Sequence, residues 1–132
     1  MTKTPEITGF HHVTLSVSSV DASIGWYCDL LGFAVVKRAL VNGLDKAMLT
    51  RDGMLVTFVG HGQAAIAGPF DERRCGLDHL SFAVADRQTL DAWVARLDAA
   101  GVARGQVTTG ITGDLVAFRD PDNIALEFYT RQ

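Results

Sequence analysis

The sequence predicts an α+β fold built from two tandem βαβββ modules, and three observations predict it. A strand-like segment beginning with histidine occurs twice. Each copy leads into a helical pattern whose tryptophan, Trp26 or Trp93, lies fourteen residues after the histidine and which stops at a glycine. Each half then closes on an Arg-Asp turn followed by an alternating strand. Self-similarity on this scale marks repeated supersecondary units.

The first module is expected over about residues 8–60. His12-Val13-Thr14-Leu15-Ser16-Val17 alternates apolar and small polar residues, the pattern of a half-buried strand. A turn containing Asp21 leads into a helix that carries Trp26 and ends at Gly32, where a left-handed cap is expected. Gly32-Phe33-Ala34-Val35 resumes extended chain, and Arg51-Asp52-Gly53-Met54-Leu55-Val56-Thr57-Phe58 supplies the closing turn and strand. Residues of about 61–75, rich in Gly and charge through Gly62, Gly68, Pro69 and Asp71-Glu72-Arg73-Arg74, read as a linker and a candidate mobile lid. The second module, about 76–130, repeats the scheme. His79-Leu80-Ser81-Phe82-Ala83-Val84 is its first strand, a turn at Asp86 precedes the helix with Trp93, and Gly101 ends that helix. Arg119-Asp120-Pro121-Asp122-Asn123 turns into Ile124-Ala125-Leu126-Glu127-Phe128. Allowing two extra residues in this turn, Arg119 matches Arg51 and Glu127 matches Thr57. Neither half is large enough to bury a sheet alone, so residues 1–132 are expected to form a single domain.

Composition narrows the class. The chain is 48% apolar and 20% charged, within the ordinary globular range. A net charge of −3 without a basic stripe argues against nucleic-acid binding. No apolar run approaches the ~20 residues of a membrane span, and the first residues lack a signal-peptide core. A cytoplasmic location is the expectation. Two unclustered cysteines, Cys28 and Cys75, suit it; Cys28 falls on the first helix and reads as a buried inert thiol.

In a strand, alternate residues share a face. Val13, Leu15 and Val17, with Leu80, Phe82 and Val84, belong under the helices. His12, Thr14 and Ser16, with His79, Ser81 and Ala83, take the opposite faces. Glu127 and Tyr129 join that side in the last strand, away from Leu126 and Phe128. Two imidazoles and a carboxylate on faces lined by small residues suit one divalent metal with open coordination positions: Fe, Mn, Ni, Co or Zn. His11 falls on the wrong face, and His61 lies beside the linker.

The segments His12-Val13-Thr14-Leu15-Ser16-Val17, Leu30-Leu31-Gly32-Phe33, Gly76-Leu77-Asp78-His79-Leu80-Ser81-Phe82 and Phe118-Arg119-Asp120-Pro121-Asp122-Asn123 resemble the vicinal oxygen chelate superfamily. That family includes glyoxalase I, extradiol dioxygenases, epimerases, fosfomycin-resistance transferases and bleomycin-binding proteins. The resemblance implies a curved mixed sheet around a metal-binding cavity, a homodimer, and His12, His79 and Glu127 as the ligands. It also implies a glyoxalase- or dioxygenase-like enzyme acting on a small oxygen-bearing molecule; the alternative is a protein that sequesters a drug or metabolite in the same cavity. A purely structural dimerisation module fits less well, because the polar faces are roomy. Thr57 stands where glyoxalase-type members carry a fourth ligand, which weakens a glyoxalase or epimerase assignment. Too little chain follows Glu127 for the fosfomycin transferases' basic features. The extradiol pattern is matched loosely by His61, and Val116 and Ala117 stand where its tyrosine would be expected. Tyr129 and His61 are the candidate catalytic side chains.

Overall fold

A computed structural model describes residues 3–131. In chain order the elements are β1 (Val13–Ser16), α1 (Val20–Leu31), β2 (Ala34–Val41), β3 (Leu44–Arg51), β4 (Met54–Gly60), β5 (Leu80–Val84), α2 (Arg87–Ala99), β6 (Thr108–Thr109), β7 (Asp114–Arg119) and β8 (Ala125–Thr130). One turn of 3-10 helix, Gly62–Ala64, opens the linker. Both βαβββ modules are present, in two mixed sheets ordered β1-β4-β3-β2 and β5-β8-β7-β6. In each sheet the first and last strands of the module lie parallel and the remaining pairs are antiparallel.

Local chemistry sets these boundaries. The Ser19 hydroxyl caps α1 by accepting from the Ala22 N–H, and the Asp86 carboxylate caps α2 by accepting from the Thr89 N–H. Asp21 is thus not a turn residue: it sits in the first helical turn, where the helix dipole favours a carboxylate, and pairs with Arg38. Gly32 adopts the left-handed conformation expected of it, with φ 75°. The second helix stops one residue earlier than its glycine, at Ala100, and Gly101 then takes the positive φ. Asn42-Gly43 and Asp52-Gly53 have positive φ and join β2–β3 and β3–β4 as two-residue hairpins.

The helix-side faces of both sheets share one buried core with the helices. Leu15, Val17, Phe58, Phe82, Val84 and Phe128 all belong to it. Trp93 stacks on Phe128 at 4.5 Å, and Phe33 meets Phe82 across the modules at 6.1 Å. Polar latches add direction. The Tyr27 hydroxyl donates to Asp120 Oδ2 at 2.8 Å, Ser18 N–H to Asp122 Oδ2 at 3.0 Å, and the Arg96 guanidinium to the carbonyls of Leu30 and Asp29. Arg51 donates to the Leu31 carbonyl and lies over the Trp93 ring.

This arrangement bears on how the two modules can pair, which the sequence left open between one chain and a dimer. Because the helix sides face each other, Thr14 and Ser16 of one sheet, and Ser81 and Ala83 of the other, are left exposed. The linker is also less free than a lid. Phe70 N–H donates to the Asp122 carbonyl, Asn123 Nδ2 donates to the Phe70 carbonyl, and Glu72 pairs with Arg119 at 2.7 Å. Cys28 is half-buried rather than buried, packs on the core, and has its thiol pKa pushed up by burial.

Candidate metal centre

The repeat equivalence inferred from sequence is visible in strand register. In the first module Thr14 of β1 lies beside Thr57 of β4; in the second, Ser81 of β5 lies beside Glu127 of β8. Thr14 and Ser81 each follow their histidine by two residues. Thr57 and Glu127 therefore occupy the same place in the two modules.

That register brings His79, at the entry to β5, against Glu127. Nε2 of His79 is 3.3 Å from Glu127 Oε1. On the other side of the ring, Nδ1 lies 2.7 Å from Asp78 Oδ1. With the proton on Nδ1 donated to Asp78, Nε2 presents its lone pair on the Glu127 side, the arrangement that orients a metal-binding imidazole. The Asp78 hydrogen bond raises the His79 pKa; burial works against it and the Glu127 charge adds to it. Asp78 was not picked out from sequence, although an acid immediately before the histidine was the available signal.

His12 does not join this pair within one chain. It is exposed at the entry to β1, and its Nδ1 lies 2.8 Å from Nδ1 of His11. Among the described residues no three His, Cys, Asp or Glu side chains converge. Strand alternation within each half does not relate the faces of the two modules. His61 stays with the first module: its Nε2 is 3.0 Å from the Ser16 hydroxyl, at the edge of a cavity of about 490 Å³ lined also by Ile66, Phe70 and Asp122. Tyr129 lies on the Glu127 side of β8, and its hydroxyl accepts from the Thr112 N–H at 3.2 Å. Thr57 is only 8% exposed, and its hydroxyl has no hydrogen-bond partner among the described residues.

Paired βαβββ modules, parallel first and last strands, and a His/carboxylate couple at one strand junction define a class of chelating fold. The chain belongs to the Glyoxalase/Bleomycin resistance protein/Dioxygenase superfamily, whose family model matches residues 9–128. It is 30% identical over 131 residues to the catechol-2,3-dioxygenase of Bacillus subtilis (strain 168); the match takes in 98% of this chain but only 44% of that enzyme. It is 29% identical over 131 residues to the metallothiol transferase FosB of Shouchella clausii (strain KSM-K16), covering 94% of this chain and 81% of FosB. Among solved structures, a glyoxylase/bleomycin resistance protein/dioxygenase domain from Frankia sp. EAN1pec superposes with a TM-score of 0.87 at 34% identity, covering 96% of this chain and 94% of that one. No helix among the described residues is long and apolar enough to cross a membrane.

Proposed function

We propose that the protein is a metal-dependent enzyme acting on a small oxygen-bearing molecule, with His79 and Glu127 of one chain and His12 of a second copy as its ligands. The observation that carries this reading is the 3.3 Å His79–Glu127 couple with its imidazole held from behind by Asp78. The donor set fits a divalent Fe, Mn, Ni, Co or Zn ion, being two neutral nitrogens and a carboxylate. The exposed polar faces support a homodimer, because a first-module face can meet a second-module face only between chains. The names of the relatives, a catechol-2,3-dioxygenase and a metallothiol transferase, support a metal.

When bound, such an ion acts as a Lewis acid toward vicinal oxygens or lowers the pKa of a bound water. The protein's own groups divide the remaining work. Asp78 fixes the tautomer of His79. Tyr129 accepts from Thr112 N–H and so keeps its own O–H free to donate to a ligand oxygen. His61, beside Ser16, is placed to exchange a proton at the end of the His12 face. Thr57 supplies no carboxylate where a base or fourth ligand would stand. That feature favours a second reading, retention of a small molecule without turnover, and a substrate panel assayed for product separates the two.

Cross-complementation tests the shared site. His12→Ala and His79→Ala are each expected to lose tight Mn(II) binding. Mixing them creates heterodimers with one intact site built from the unmutated His12 of one chain and the unmutated His79 and Glu127 of the other, so binding returns in part. If the mixture binds no more Mn(II) than its components, the shared site is wrong.

A further inference from the structure

A crevice of about 230 Å³ opens where the two modules meet on the helix side of their sheets, and its walls are aromatic. Phe33 follows α1, Phe82 belongs to β5, Phe128 to β8 and Trp93 to α2. The four rings form one connected series. Phe33 lies 6.1 Å from Phe82, Phe82 lies 6.0 Å from Phe128, and Phe128 stacks on Trp93 at 4.5 Å. Leu31 and Val84 complete the apolar wall. Leu90, Leu97 and Val116 of the same core are sealed from solvent, whereas Phe33, Phe82, Val84 and Phe128 each keep a little access.

The rim is polar, but its polar groups are already matched. Arg51 donates to the Leu31 carbonyl, pairs with Asp52 at 3.0 Å, and lies over the Trp93 ring at 5.5 Å. The Thr89 hydroxyl donates to Asp86 at 2.7 Å. The cation and the carboxylate at the mouth thus neutralise each other. A neutral guest complements such a mouth, whereas a charged one would have to break the Arg51–Asp52 pair or give up its hydration against the rings. Size narrows the choice further. An apolar cavity of about 150 Å³ accepts benzene, while pockets for drug-sized ligands begin near roughly 300 Å³. Aromatic walls favour an aromatic guest, because offset and edge-to-face ring contacts add to plain burial.

We infer that this crevice is a second ligand site, for a neutral molecule of one aromatic ring. It shares no residue with the His79–Glu127 couple. The β5–β8 pair separates the two: Phe82 and Phe128 face the helices, and Ser81 and Glu127 take the other side. A ring seated here touches Phe33 of the first module and Phe82 of the second, so its occupancy ties the modules together.

Methionine-methyl NMR reads the site with an internal control. Met54 lines the mouth of the crevice. Met48 lies on the opposite face of β3, because its neighbours Ala47 and Leu49 are buried on the helix side. Benzene, titrated into the full chain, is expected to shift the Met54 methyl signal saturably through its ring current and to leave Met48 in place. Benzoate and benzylammonium are expected to need at least about tenfold higher concentrations for the same shift. Trp93→Leu removes one ring of the wall, and Met54→Trp fills the mouth from an exposed position. Each is expected to weaken benzene binding about tenfold. Calorimetry reads Met54→Trp, which lacks the reporter methyl, and this variant carries the test if thermal unfolding shows that Trp93→Leu does not fold. A Met54 signal unmoved at the solubility limit of benzene overturns the inference. So do equal shifts of Met54 and Met48, a charged ring bound as tightly as benzene, or full affinity in Met54→Trp.

Discussion

Tyr27→Phe removes one hydroxyl and with it the buried contact from α1 to the turn before β8. Asp120 is only 6% exposed, and its carboxylate is held by three donors: Tyr27 O–H on Oδ2 at 2.8 Å, and the Asp122 and Ile124 N–H groups on Oδ1 at 2.9 Å. A hydrogen bond to a charged acceptor contributes about 1.5–3 kcal/mol. The expected loss at neutral pH is therefore about 2 kcal/mol, or a fall of roughly 6–10 °C in Tm for a domain of this size. Burial raises the Asp120 pKa despite its donors, so the folded protein takes up this proton at a higher pH than the unfolded chain does. Stability from that proton is present below the unfolded-state value and is lost as pH rises through the folded-state value. Removing a donor to the ionised form raises the folded-state pKa further. The deficit of Tyr27→Phe is thus largest at neutral pH and shrinks toward that of a neutral hydrogen bond, about 1 kcal/mol, as acid protonates Asp120. Urea denaturation of both proteins from pH 7.5 to about 4, the carboxylate range, measures this. An unchanged Tm at neutral pH, or a deficit that grows in acid, would refute the reasoning.

Thr57→Val is expected to leave Mn(II) affinity within about twofold and to stabilise the metal-free protein by up to ~1 kcal/mol, because the deleted hydroxyl has no partner; a marked loss of Mn(II) affinity in titration calorimetry contradicts the account of this position. Thr57→Glu puts a carboxylate at the Glu127-equivalent place and is expected to tighten Mn(II) binding, read by the same titration. Gly110→Ala puts a Cβ 2.1 Å from the Tyr129 hydroxyl, so it should displace that ring and cost about 1–3 kcal/mol, visible in thermal unfolding and in a changed Tyr129 ring signal by NMR. Wild-type-like stability and an unmoved ring would count against it.

The periodicity of each half was enough to assign its first and last strands and its helix, while β3, β6 and β7 were expected only as further strands without bounds. His12, Thr14, His79, Ser81, Thr57 and Glu127 carry that information in local alternation and repeat spacing. How the halves sit on each other was not legible there. The docking depends on contacts between distant residues, such as Tyr27 with Asp120 and Ser18 with Asp122, whose partners no local pattern announces. The contacts of the linker were not legible for a related reason. Its composition is loop-like, but Phe70, Glu72 and Asn123 tie it to the turn before β8. Asp78 was within reach of sequence reasoning.

The parallel pairing of β5 with β8 also bears on the order in which the molecule assembles. Ser81 and Glu127 become neighbours only after α2, β6 and β7 have been laid down between them, because the last strand must insert next to the first. Closing so long a loop costs entropy that only the finished module returns, and non-local strand pairings of this kind are slow to form. The His79–Glu127 couple is therefore a late event in folding. A chain arrested before β8 docks has its histidines and no carboxylate to set beside them, so divalent ions added during refolding should report completion of the second module rather than steer its early steps.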